Sequence, residues 1–184
     1  LGKLKEAELS TRKAIELNPN SIQAFLNLTT ILRDLGKLKE AELFARKTIE
    51  LNPNYSLAYC NLGTILIDLG NFQEAESYTR KAIEINPGHA ASHSNLGNIL
   101  RELGKLKEAE FFTRKAIEIN PNYEAAHLNL GNIFRELGKL KEAEFFTRKA
   151  IQVKFDFVEA HNNLGTILMA LGKFKEAELS IRKA

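Results

Sequence analysis

The chain has 184 residues, 44% of them hydrophobic and 27% charged, with 26 basic against 23 acidic side chains and a formal net charge of +3. That balance gives ample material for burial and a water-soluble surface, and no apolar run approaches the length of a membrane span. The single cysteine, Cys60, excludes an intramolecular disulfide framework and suits a reducing compartment. Charges of both signs are mixed locally, as in Lys-x-Lys-Glu-Ala-Glu and Arg-Lys-Ala-Ile-Glu, which describes solvated helix faces with intrahelical ion pairs. No face is basic and aromatic together, so neither nucleic acid nor membrane is the expected partner. With no signal-like start, the reading is a soluble, cytoplasmic protein, although the first residues already lie inside a repeat and a targeting segment upstream stays open.

The segment Gly2 to Glu8 returns as Gly36 to Glu42, Gly104 to Glu110 and Gly138 to Glu144, with looser copies at Gly70 to Glu76 and Gly172 to Glu178, a period of 34 residues. A fixed period of this size means stacked supersecondary units, each burying its apolar face against its neighbours. Two punctuators divide each period. Pro19, Pro53, Pro87 and Pro121 each follow an asparagine, and the residue before proline is pushed out of the α region, closing a helix. Gly2, Gly36, Gly70, Gly104, Gly138 and Gly172 each follow a leucine and read as left-handed caps after a helix end.

In chain order, a second helix of the pair (B) is predicted over 4–17, then a first helix (A) over 22–35 and B over 38–51. The pattern continues with A at 56–69, 90–103, 124–137 and 158–171, and B at 72–85, 106–119, 140–153 and 174–184. Leu62, Ile65, Leu66 and Leu69 form the apolar stripe of one A helix, and Ala75, Ala82 and Ile85 that of its B helix. Gly63, Gly97, Gly131 and Gly165 fall inside A helices, where glycine costs about 1 kcal/mol relative to alanine. Close approach to the small Ala75, Ala109, Ala143 and Ala177 of the B helices accounts for them.

Taken together, Tyr59, Leu62-Gly63, Ala75, Ala82 and Pro87 within Ser56 to His89 resemble the tetratricopeptide repeat pattern of aromatic, Leu-Gly, two small residues and a terminal proline. The resemblance spans the chain: full repeats at 22–55, 56–89, 90–123 and 124–157, with partial ones at 1–21 and 158–184. It implies an all-α, right-handed superhelical solenoid of antiparallel helix pairs, read as a single array and a piece of a longer one. Departures are Thr29 at a glycine position, Thr48 at an alanine position, and Thr79, Thr113, Thr147 or Ala45 where the family carries an aromatic on helix B. The rings sit one position earlier, at Phe44, Tyr78, Phe112 and Phe146. Lys154-Phe155 replaces Asn-Pro, so that helix B either runs on or turns differently there.

No catalytic constellation, phosphate loop or metal-ligand spacing stands out, so catalytic residues, metal and cofactor are all read as none. His93, His127 and His161 occupy the ring position of Phe25 and Tyr59 and read as packing groups. Cys60 reads as a passive thiol, open to exposure and intermolecular oxidation. Leu9, Leu43, Phe111, Phe145 and Leu179 lie opposite the small-residue stripe of helix B. They form either an exposed association patch or, if the shifted rings rotate the helix, part of the packing between repeats; burial is the favoured reading.

The face of helix A left by the apolar stripe carries the second, fifth, sixth, ninth, twelfth and thirteenth positions of each unit. The sixth is Asn27, Asn61, Asn95, Asn129 and Asn163; the ninth is Thr30, Thr64, Asn98, Asn132 and Thr166; the twelfth includes Arg33, Arg101 and Arg135 beside Asp34, Glu102 and Glu136. An amide row offers donors and acceptors that can clamp the backbone of an extended peptide, or it can satisfy neighbouring helix groups. The row is similar to that in the repeats of O-linked N-acetylglucosamine transferases and to bacterial repeat scaffolds, which implies peptide binding. The basic clamp for acidic tails, another mode of the family, finds no lysine or arginine at the second, fifth or sixth positions. The expectation is a non-catalytic scaffold holding a protein or peptide partner in a concave groove, with the arginines tuning charge or pairing with their acidic neighbours. Alternatives are the recruiting arm of a larger glycosyl- or sulfotransferase and a module that self-associates through its open ends or the helix B row.

Overall fold

The computed structural model describes residues 2–184, which divide into two compact units, one ending at Pro87 and the other Gly88–Ala184. The first holds α1 (Gly2–Leu17), α2 (Ile22–Asp34), α3 (Leu38–Leu51), α4 (Ser56–Asp68) and α5 (Phe72–Ile85). The second holds α6 (Ala90–Glu102), α7 (Leu106–Ile119), α8 (Glu124–Glu136), α9 (Leu140–Val153), α10 (Val158–Ala170) and α11 (Phe174–Ile181). All elements among the described residues are helices. Within each unit the even-then-odd pairs α2–α3, α4–α5, α6–α7, α8–α9 and α10–α11 pack as hairpins.

The two punctuators act by different bonds. At the hairpin turn, Gly36 takes φ +73°, its N–H bonds Arg33 O at 2.9 Å, and Lys37 N–H reaches back to Leu32 O at 2.8 Å. This pair of bonds satisfies the last carbonyls of helix A and turns the chain straight into helix B. Gly70, Gly104, Gly138 and Gly172 repeat it. Gly2 does not: it opens α1, and no helix end precedes it among the described residues for a cap to close. At the other turn the asparagine side chain takes over, as Asn52 Oδ1 accepts from Asn54 N–H at 3.1 Å. Helix α9 ends at Val153, in register with its siblings, although Lys154-Phe155 stands at its Asn-Pro position. It therefore does not run on. The seating of α10 holds this turn, since His161 Nε2 lies 2.8 Å from Phe155 O.

The apolar stripe of each A helix is the core. Leu62, Ile65 and Leu66 of α4 and Leu96, Ile99 and Leu100 of α6 are completely buried. Across the hairpin, the glycine of helix A faces a threonine of helix B in addition to the alanine. A methyl group built on Gly97 would overlap Thr113 Oγ1 and stand 3.2 Å from Ala109 O. Gly63 meets Thr79 and Gly131 meets Thr147 in the same way. The departures in the first full repeat then make sense as a pair: Thr29 takes the glycine position and Ala45 the threonine position, both buried, so the small and larger partners have exchanged helices. The helix B ring, displaced by one residue, packs on the ring of its own helix A, Tyr78 on Tyr59 at 6.2 Å and Phe146 on His127 at 6.3 Å between centroids.

Charged side chains stitch successive B helices from outside. Glu8 accepts from Lys37 at 2.8 Å and from Arg12, which also pairs with Glu40; Arg46 bridges Glu42 and Glu74. Lys37 first, and Arg12 next, hold the Glu8 carboxyl below its ordinary value. Lys173 and Arg148 converge on Glu144 in the second unit.

The close approach makes a signed prediction. Helix propensity alone favours Gly97→Ala by about 1 kcal/mol, but the overlap with Thr113 is expected to reverse that to a loss of about 1–3 kcal/mol. Adding Thr113→Ala should recover most of it. Chemical denaturation midpoints of both variants check this, and a Gly97→Ala chain more stable than its parent contradicts it.

Candidate functional site

Inside each unit, successive A helices touch: α2 reaches α4, α6 reaches α8, and α8 reaches α10 with Cα atoms within 8 Å, whereas no two B helices come that close among the described residues. Each unit is therefore drawn together on its A side. The fifth position of helix A, expected on the open face, is buried in four of the five repeats. Leu26, Cys60, Ser94 and Leu128 are buried, Cys60 in a cluster with Tyr59 and Ala82, Ser94 under Asn129 and Leu128 with Ala150 and Ala160; of this row only Asn162 is exposed. Cys60, at 4% exposure, is thus a buried thiol, in keeping with the passive reading and not with the exposure left open beside it.

The sixth position lies at the edge of the contact. In the first unit Asn27 is exposed, accepting from Gln23 Nε2 at 2.8 Å, and Asn61 is half-buried. In the second, Asn95, Asn129 and Asn163 are all half-buried. Asn129 Nδ2 donates to Ser94 Oγ at 3.0 Å and to Ser94 O at 3.3 Å; Asn163 Nδ2 donates to Asn132 Oδ1 at 2.9 Å. These amides use one end to lace one A helix to the previous one. An amide has two donor hydrogens and a carbonyl oxygen, so lacing engages only part of each. At the ninth position Asn132 is 8% exposed, Asn98 accepts from Arg101 Nη2 at 3.1 Å, and Thr30, Thr64 and Thr166 turn their hydroxyls onto their own helices.

The arginines divide. Arg33 Nε donates to Asp68 at 2.5 Å, and Arg101 Nη1 to Glu136 at 2.6 Å with Glu102 alongside. The partner sits at the thirteenth position of the following A helix. For Arg135 that position is Ala170, and Arg135 has no acidic partner among the described residues. The row thus contains two neutralised guanidiniums and one that is not.

Elsewhere the side chains settle the remaining candidates. His127 stacks on Phe146 and its Nε2 lies 2.8 Å from Pro121 O; since a carbonyl only accepts, Nε2 carries the proton. His161 does the same to Phe155 O, and Tyr59 OH to Pro53 O at 3.0 Å. These rings are struts between helix A and the preceding turn. The helix B row corrects the favoured expectation of burial: Leu9, Leu43, Phe111, Phe145 and Leu179 are 55–70% exposed. The shifted rings do not rotate the helix, because threonine or alanine, rather than a ring, occupies the position against helix A.

Sequence models described as tetratricopeptide repeat match residues 54–122, residues 11–42 and 112–145, and residues 158–184. A comparison with curated proteins finds no match. Among solved structures, a chain of the APC/C hetero-tetramer Cut9-Hcn1 superposes with a TM-score of 0.92 at 15% identity, covering 99% of this chain and 36% of that one. A thermophilic TPR protein of Thermus thermophilus gives 0.82 at 23% identity, covering 89% and 90%. YrrB, described as a TPR protein with an unusual peptide-binding site, gives 0.64 at 24% identity, covering 94% and 89%. At these identities the likeness is one of fold. The chain spans little more than a third of the first of these structures.

The strut reading is testable by substitution. His127→Phe keeps the stack on Phe146 and loses the bond to Pro121 O, so stability should fall by about 1 kcal/mol. His127→Tyr restores a donor, as Tyr59 supplies one, and should stay near the parent. Equal denaturation midpoints for His127→Phe and the parent would remove the role.

Proposed function

The chain belongs to the tetratricopeptide repeat family, whose fold is a protein–protein interaction scaffold, and from that premise we propose that its A-helix face holds an extended peptide or partner segment without catalysing a reaction. In the second unit the contacts would come from Asn95, Asn129 and Asn163, with Asn98 and Asn132 beside them; in the first, from Asn27 and Asn61 with Thr30 and Thr64. The amide groups that lacing leaves over, as at Asn129 and Asn163, bond peptide N–H and C=O groups, which selects an extended backbone rather than a particular side chain. Thr166 extends the row of the second unit. Arg33 and Arg101 are held by Asp68 and Glu136 and shape the rim, whereas Arg135 is available to an acidic residue of the partner. The action belongs in the cytoplasm, which the one thiol fits.

The observation that carries this reading is the half-buried amide row whose lacing bonds, Asn129 to Ser94 and Asn163 to Asn132, engage Nδ2 and leave the Oδ1 of both residues available to accept. Degenerate peptide arrays, followed by titration calorimetry on captured sequences, test it. Asn129→Ala with Asn163→Ala should weaken every captured peptide, while Ser94→Ala, which removes only the lacing hydroxyl, should leave affinity near the parent. Arg135→Ala should lower affinity for acidic peptides and flatten its salt dependence; Arg101→Ala should do less. Unchanged affinity in the double asparagine variant rejects the proposal.

A second reading, self-association, is favoured by the exposed row Phe111, Phe145 and Leu179 on the B helices of the second unit. Sedimentation velocity over a concentration series decides it. Association lost in Phe111→Glu with Phe145→Glu supports the row as the contact, and a strict monomer at all concentrations rejects it.

A further inference from the structure

Ser180 of α11 stands at the register position where the preceding repeats carry Phe44, Tyr78, Phe112 and Phe146. The surroundings of Phe146 show what that position is built to hold. Its ring stacks on His127 and on Phe134 at 5.5 Å, lies in the cluster of Leu130 with Ile117 beside it, and has the Arg114 guanidinium 5.8 Å from its centroid. One period on, these residues are His161, Leu168, Leu164, Ile151 and Arg148. With Ser180, the same five line a cavity of about 440 Å³ between α9, α10 and α11. The Ser180 hydroxyl does not reach across it: Oγ donates to His161 O at 3.1 Å, against the wall.

We propose that this cavity is a receptor for a phenylalanine or tyrosine side chain presented by a partner polypeptide. The chemistry of the ring is set by the mouth. Arg148 is held there by Glu144 at 2.9 Å and Glu176 at 2.6 Å, as Arg46 is held by Glu42 and Glu74 over Tyr78. Arg46 lies 5.4 Å from that ring's centroid and donates to the tyrosine hydroxyl at 2.7 Å; Arg12 lies 5.6 Å from the centroid of Phe44. A guanidinium above the seat favours an aromatic face over an aliphatic side chain of equal bulk, and a tyrosine hydroxyl has a donor to meet. The chain's own nearby ring, Phe155, is largely exposed and lines the cavity rather than filling it. It stands edge-on to His161 at 6.0 Å, with the Lys183 ammonium 5.7 Å from its centroid. The volume accommodates one ring with the backbone segment that carries it. This site is separate from the amide row and does not depend on it.

Methyl and imidazole NMR of the full chain, titrated with N-acetyl-tyrosinamide, N-acetyl-phenylalaninamide and N-acetyl-leucinamide, tests the assignment. Saturable shifts are expected at Ile151, Leu164, Leu168 and His161 with the two aromatic probes, with the leucine probe several-fold weaker. Ser180→Phe should abolish them and raise the melting temperature by supplying the ring in cis. Ser180→Leu, a smaller filling that guards against misfolding of the first variant, should weaken them. Asn129→Ala should leave them intact, which separates this site from the amide row. The proposal is overturned by no saturable shift up to the solubility limit of the probes, by shifts that persist in Ser180→Leu, or by equal response to the leucine probe. Shifts at the same residues on raising protein concentration alone would overturn it too, because a second copy would then be the occupant.

Discussion

The distance between the two helices of a hairpin governs the rest of the structure. At its closest point a glycine of helix A meets a threonine of helix B, and the glycine is tolerated in mid-helix only because a methyl group there would strike that threonine and the alanine carbonyl behind it. Where the glycine is lost, at Thr29, the opposite residue shrinks to Ala45; where the threonine is lost, at Ile181, a glycine, Gly165, still receives it. The contact is kept by one small partner on either helix, not by a fixed pair of residue types. Such complementarity is what a close-packed interior requires, since a single extra methyl displaces its neighbours.

From that spacing follows the asymmetry of the two faces. Helices A carry their large leucines and isoleucines inward and press against one another, while helices B, kept apart, are joined by long charged side chains such as Arg46 reaching Glu74. Exposed pairs of this kind contribute little each, and their value here lies in fixing register across repeats. On the A side the gap between helices is too narrow for solvent at the fifth position, so a polar residue there must be satisfied from the next helix. Asn129 does this for Ser94. The same amide then stands at the edge of the open face, where lacing engages its Nδ2 and leaves Oδ1 for the contact proposed above.

Helix limits were legible because two punctuators act locally: a glycine that takes positive φ and an asparagine that caps its own turn each depend on residues within a few positions. The core stripe was legible for the same reason. What stayed hidden was the location of the neighbouring helix. Helical periodicity orders residues around an axis but does not say which arc a neighbour covers, so Leu26, Cys60, Ser94 and Leu128 looked open and Phe111 and Phe145 looked coverable. The ring shift on helix B suggested a rotated helix; the threonine at the glycine contact shows instead that the helix kept its phase and passed the ring to the adjacent position. The missing proline at Phe155 likewise changed nothing in helix α9, because the strut from His161 holds the turn from outside.

Against a background this regular, departures from the period acquire meaning by what they leave unpaired. The changes at Thr29 and Ala45 compensate each other and leave no group unsatisfied. Those around the last repeat do not. Ala170 removes the carboxylate that would neutralise Arg135, and Ser180 removes the ring that would fill the space between Arg148 and His161. A repeat that closes its own contacts has only its amide edge to offer a partner. One that lacks an anion and a ring offers, within the Gly88–Ala184 unit, a free cation and an aromatic-shaped recess, built by the same register rules that elsewhere satisfy both internally. The recess gains its specificity at no cost in scaffold geometry, because the walls were already set by the requirement to hold a ring of the chain's own.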